Sequence, residues 1–222
     1  MNSHGQLPSV VTNYIHNVLP HMEGWCTPAK AEALAQAVLE AKPVIVVEIG
    51  VFAGKSLIAL ALACHANNHG RVIGIDPWDR DASIQGFSPS DPNHVWWRDV
   101  VNHSYIMGQC ESFVKQLGVR DRVILCRGTS EHSLPGFLKA QELLGCPFID
   151  FLHIDGNHSE VCSTFDVQSY VPLVRPGGTI VFDDVNWTTT SKAQVLLADL
   201  AELQSYLETE GQKCGFFKHK AP

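Results

Sequence analysis

The feature that most constrains this chain is a recurring pair: an apolar, β-branched run followed by a helical pattern. Val44-Ile45-Val46-Val47-Glu48-Ile49 is continuous rather than alternating, as expected of a strand covered on both faces. The same grammar returns at 71–76, 122–126, 148–154 and 178–182, with helical patterns at 56–66 and 159–173 between strands. Thr27-Pro28 reads as the N-cap and first residue of an earlier helix that runs to Ala41, where Lys42-Pro43 stops it. Strands joined through helices need right-handed crossovers, so the pattern predicts an α/β fold with a doubly wound, mostly parallel sheet and helices on both faces. A final helix is expected over 191–207 and a last strand over 214–219, which leaves a C-terminal hairpin abbreviated to little more than one strand.

Composition narrows the class. With 45% hydrophobic and 18% charged residues, the 222-residue chain can bury a core, and we read 1–222 as one domain. Sixteen Lys+Arg against 23 Asp+Glu give a formal charge of -7, with no basic run of the kind that binds nucleic acid. No stretch approaches the ~20 apolar residues of a bilayer span, and the start, Met1-Asn2-Ser3-His4-Gly5-Gln6, lacks a basic, apolar leader. Seven cysteines, an odd number without a C-x-x-C pair, fit reduced thiols better than disulfides or zinc. The expectation is a cytoplasmic protein acting on a small molecule, with a homodimer left open.

Open parallel sheets bind ligands beyond the carboxyl ends of their strands. Polar groups stand at each of those ends: the turn Gly50 to Ser56, then Asp76, Gly128-Thr129-Ser130-Glu131, Asp155-Gly156-Asn157-His158 and Asp183-Asp184. Gly50-x-x-x-Gly54-Lys55-Ser56 is one residue short of a P-loop, which needs four residues between its glycines. A P-loop-like NTPase is therefore the weaker rival. The dinucleotide pattern G-x-G-x-x-G also fails, because Phe52 stands at its second glycine.

Glu48-x-Gly50-x-x-x-Gly54-x-Ser56, followed 20 residues later by Asp76, resembles the cofactor loop of class I S-adenosylmethionine-dependent methyltransferases, which have a Rossmann-like fold. The resemblance covers about 24–182. It implies that Asp76 accepts from the ribose hydroxyls, that Ser56 and the helix start behind Gly54 receive the carboxylate, and that Glu48 lies at the methionine end or ribose. Ser130 and Glu131 would sit by the adenine, with Phe52, Pro77, Trp78, Gly128 and Asp155 completing the cofactor set. Pro172 to Gly178, before an apolar strand, is similar to the turn preceding the fifth strand in that family.

His153-Ile154-Asp155-Gly156-Asn157-His158 with Val181-Phe182-Asp183-Asp184 resembles the metal-dependent O-methyltransferases of catechol, caffeoyl-CoA and antibiotic-sugar type. That implies transfer of a methyl group to a hydroxyl, with Asp155, Asp183 and Asp184 holding Mg²⁺ or Mn²⁺. Independently, carboxylates at 4 Å repel by about 4 kcal/mol at an effective dielectric of 20, so the three at neighbouring strand ends call for protonation, solvent or a cation. An all-oxygen set suits magnesium or manganese better than zinc. Catechol-type members place a lysine three residues after the first metal ligand, and sugar-type members an aspartate two after it. Here those positions hold His158 and Asn157, so His158 is the expected base beside Asp155, and a cofactor-binding protein without transfer remains the non-enzyme alternative.

Residues 77–105, rich in Pro, Ser and aromatic residues, form the one long segment outside this grammar. Their place after a strand end predicts a lid, and the alternative is a local helix over 95–103 packing its tryptophans into the core. Residues 1–43 form the N-terminal helical segment.

Overall fold

The computed structural model describes residues 6–221; residues 1–5, which carry most of the leader reading, and Pro222 lie outside the described residues. The chain opens with α1 (Ser9–Asn17) and α2 (Pro28–Ala41), followed by β1 (Ile45–Ile49), α3 (Lys55–Ala66) and β2 (Arg71–Asp76). Next come α4 (Arg80–Ser83), α5 (Pro92–Asp99), α6 (His103–Gln116), β3 (Val123–Arg127), α7 (Ser130–Leu144) and β4 (Ile149–Ile154). The last part holds α8 (Glu160–Tyr170), β5 (Val174–Phe182), α9 (Ser191–Leu200), β6 (Ala201–Thr209) and β7 (Gln212–His219).

The strands form a seven-stranded sheet in the order β3-β2-β1-β4-β5-β7-β6. The first five are parallel and β7 runs antiparallel to both β5 and β6. Strand order reverses between β1 and β4, the switch point at which such sheets open a crevice. Two apolar cores cover the faces. One takes side chains from α1, α2, α3 and α6, including Tyr14, Leu34, Leu57 and Cys110. The other takes Phe137 of α7, Val167 and Tyr170 of α8, and Leu197 of α9. The doubly wound reading therefore holds.

The C-terminus corrects the expectation of an abbreviated hairpin. The helix stops at Leu200, and Ala201–Thr209 forms a full strand paired with β7 from Ala201↔His219 to Thr209↔Gln212. Leu, Glu, Gln and Ala give this segment helix propensity, but pairing with a neighbouring strand outweighs it. Glu210 and Gly211 both have positive φ, 51° and 80°, the backbone of a two-residue hairpin turn.

Segment 77–105 contains both α4 and α5. Trp96 and Trp97 do not enter either core. They pack on Trp25 and Phe52, with ring centroids 5.0 to 5.6 Å apart for Trp25–Trp96, Trp96–Trp97 and Phe52–Trp97.

Candidate active site

A cavity of about 580 Å³ opens at the carboxyl edge of the sheet, inside the usual size range of small-molecule sites. Its first end is built on Asp76. The Oδ2 atom accepts from the amides of Val51 and Phe52, both at 2.9 Å, and Oδ1 accepts from the Trp78 amide at 2.7 Å. One carboxylate thus clamps the turn after β1 to the turn after β2. Three of its roughly four acceptor positions are taken by backbone, leaving about one for a ligand hydroxyl. Burial raises the Asp76 pKa, and these three amides work against the rise.

The clamped turns carry unusual backbone. Phe52 and Trp78 have φ of 51° and 42°, a region that costs a non-glycine residue energy and persists where the surroundings enforce it. Trp78 Nε1 also donates to the Phe52 carbonyl at 2.8 Å. Gly50 has φ of 87°, and a Cβ there would lie 1.9 Å from the Asp155 carbonyl oxygen, so only glycine lets the β1 and β4 turns pack this closely. Gly54 caps α3 without a side-chain bond, so no side chain competes for its first-turn amides, and Ser56 faces the cavity there. Further along the wall, Ser130 Oγ donates to Asp166 Oδ1 at 2.5 Å. Burial pushes Asp166 up to about 7, against the pull of that hydrogen bond.

The other end is acidic. Asp155, Asp183 and Asp184 converge as the sequence implies, and so do two histidines and a lysine. Lys30 Nζ donates to Asp155 Oδ2 at 2.8 Å and to Asp183 Oδ2. Lys30 is only 3% exposed. Burial disfavours its charge, but Asp155 and Asp183 outweigh this and hold the pKa well above the ordinary lysine value. Burial likewise raises Asp183, yet Lys30 and His153 reverse the effect and hold it well below the carboxylate range. Asp155 goes the other way, raised by burial and by the charge of Asp183.

His158 Nε2 lies 2.5 Å from Asp184 Oδ2 and 3.8 Å from Asp155 Oδ1, with the Trp187 ring against it at 5.2 Å. Burial lowers the His158 pKa, but the bond to Asp184 and the charges of Asp184 and Asp155 raise it overall. Asp184 itself has φ of 49°. Beneath this layer Glu48 and His153, opposite each other on β1 and β4, are both fully buried, with Glu48 Oε1 2.8 Å from His153 Nδ1.

A family model described as a methyltransferase domain matches residues 47–185, well over half of the chain. The chain belongs to that methyltransferase family. Tricin synthase 1 of Oryza sativa subsp. japonica is 29% identical over 145 residues, 65% of this chain and 46% of the relative. The methyltransferase chain thus spans less than half the length of that curated relative. Two solved structures share the fold over most of their length. TomG, an O-methyltransferase of Streptomyces achromogenes in complex with SAM, is 17% identical at a TM-score of 0.62, covering 97% of this chain and 92% of its own. The Bacillus cereus O-methyltransferase in complex with SAH is 18% identical at 0.59, covering 96% and 92%.

Within the methyltransferase domain, Gly50, Phe52, Ser56, Asp76, Pro77, Trp78, Ser130, Glu131, Asp155, His158, Asp183 and Asp184 all line the cavity. Glu48, Gly54 and Gly128 do not. Glu48 points along the sheet to its cross-strand neighbour His153 instead of toward the methionine end, Gly54 caps α3 behind the turn, and Gly128 lies against His132. Sequence reasoning missed Lys30, His153 and Asp166. Lys30 had a signal: it falls on one helical stripe with Leu34 and Val38, the buried face of α2.

The residues present fit S-adenosylmethionine, with uncapped amides for an anion, a buried acid at the second strand, and Ser130 and Glu131 on the cavity wall. They do not fit a divalent cation as placed. Two sets of donor atoms, His153-Asp155-Asp183 and Asp155-His158-Asp184, each lie within 4.8 Å of one another; Lys30 stands in the first, and in the second His158 Nε2 is already paired with Asp184 Oδ2 at 2.5 Å.

Proposed function

We propose that this protein transfers a methyl group from S-adenosylmethionine to a hydroxyl of a small molecule. The observation that carries the reading is that one cavity is lined together by Asp76, Gly50, Asp155, His158 and Asp184. When bound, S-adenosylmethionine supplies an activated methyl group on a sulfonium.

The chain's own residues provide binding, orientation and proton transfer. Asp76 receives a ribose hydroxyl, the first turn of α3 with Ser56 receives the carboxylate, and Ser130, Glu131 and Asp166 face the base. His158, held by Asp184 at 2.5 Å, accepts the proton of the acceptor hydroxyl. Trp25, Phe52, Trp96 and Trp97 close the acceptor side and keep water from the reacting groups. Methyl transfer from the sulfonium to an oxyanion annihilates opposite charges, so exclusion of water favours it. The lid role of 77–105 belongs to this proposal. So does a cytoplasmic setting, which the seven free cysteines support; among the described residues no helix is long and apolar enough to cross a membrane.

The test is transfer of a labelled methyl group from S-adenosylmethionine to a panel of phenols, catechols and sugars. Label should appear in at least one hydroxyl acceptor and depend on His158. Transfer only to nitrogen or sulfur acceptors would contradict the reading.

A further inference from the structure

We infer that Lys30 supplies the positive charge of the acceptor site, in the place where a divalent cation would be expected, and that the protein works without a metal. The inference rests on the methyltransferase reading and concerns how its acidic end is neutralised. Asp155 and Asp183 come from the ends of β4 and β5, and a cation shared by them must lie between their inner oxygens. That space holds the Lys30 ammonium, bonded to Asp155 Oδ2 at 2.8 Å and to Asp183 Oδ2.

An ammonium and a magnesium ion cannot share it. Magnesium needs an octahedron of oxygens at about 2.0–2.1 Å and keeps several waters. To admit one, Lys30 would have to withdraw from both carboxylates. The side chain is 4% exposed and belongs to the buried stripe of α2 that also holds Leu34 and Val38. A displaced ammonium would lose both carboxylate partners and stand next to a doubly charged ion.

The placement is also held from the helix side. Thr27 Oγ1 accepts from the Lys30 amide at 3.2 Å, fixing Lys30 in the first turn of α2. A cation at a helix N-terminus opposes the macrodipole, and this first turn has no acidic residue to offset it. Lysine there is unfavourable on local grounds and is compensated only by the two carboxylates brought from the sheet. Asp184, the third expected ligand, forms a second close donor set with Asp155 and His158, and there the imidazole Nε2, 2.5 Å from Asp184 Oδ2, already occupies that carboxylate.

The test is a titration of the protein with Mn²⁺, followed by electron paramagnetic resonance and run with S-adenosylhomocysteine present. The wild type should leave Mn²⁺ free in solution, and chelation with EDTA should leave methyl transfer unchanged. Lys30→Met should create a Mn²⁺ site, removed again when Asp183→Asn is added, whereas Lys30→Arg should bind no Mn²⁺. Stoichiometric Mn²⁺ binding by the wild type, or activity lost to EDTA and restored by Mg²⁺, would overturn the inference. So would a folded Lys30→Met protein that binds no Mn²⁺. If Lys30→Met does not fold, the wild-type titration decides alone. Failure to bind S-adenosylhomocysteine would instead strike the methyltransferase reading, which keeps the two claims separable.

Discussion

Asn157 Nδ2 lies 3.0 Å from the carbonyl oxygen of Gln85, and the same amide donates to the carbonyls of Ala82 and Ser83 at 3.2 Å. Its Oδ1 meanwhile accepts from the Ser159 amide at 2.8 Å. One side chain thus ties the loop after β4 to Ala82, Ser83 and Gln85, which line the cavity in the segment proposed as its roof. Asn157→Ala should loosen that segment without unfolding the sheet. Hydrogen exchange should be faster over 80–91 in the variant and unchanged in β1 and β4. Unaltered exchange over 80–91 would mean the contact does not hold the roof.

His158 stands against Asp184 at the acidic end, on the side where an acceptor would enter. His158→Ala should lower the rate of methyl transfer by a factor of about 10² to 10⁴ while leaving cofactor affinity close to that of the wild type. Single-turnover rates and a parallel cofactor titration separate these effects. A variant that keeps its rate would assign proton removal to another group.

Asp166 is a pH-dependent cost. Burial raises its pKa from 3.8 to about 7. Between those values the folded chain keeps a proton that the unfolded chain has released, so stability falls as pH rises through this window. Asp166→Asn, which can still accept from Ser130, should therefore be more stable than the wild type in mildly alkaline buffer. The gap should close as pH falls toward 3.8. Urea midpoints across the range measure it, and a gap independent of pH would contradict the assignment.

The sheet was legible because parallel strands covered on both faces leave continuous apolar runs, and Val44 to Ile49 is one. Strand β6 was not legible. Its residues favour a helix, and only pairing with β7, from Ala201↔His219 onward, decides the matter. The one local clue was Gly211 in a two-residue turn. At the site, Asp76, Asp155, His158, Asp183 and Asp184 could be found because each follows a strand end. Lys30 could not be found that way, since it reaches the site from α2, which precedes β1, and its role depends on where that helix packs against the sheet. Its position on a buried stripe, beside Leu34 and Val38, marked it as inward-facing without saying what it would meet. His153 was hidden inside a strand, and its partner Glu48 is defined by the β1–β4 register.

The measurement that bears most directly on the account is a calorimetric titration of the wild-type protein with S-adenosylhomocysteine, set beside one with ATP. The account predicts saturable binding of S-adenosylhomocysteine and none of ATP. It also predicts that Asp76→Ala weakens that binding by at least about tenfold, because a hydrogen bond to the charged carboxylate contributes about 1.5–3 kcal/mol and the clamp on both turns goes with it. Absence of S-adenosylhomocysteine binding, or saturable binding of ATP, would contradict it.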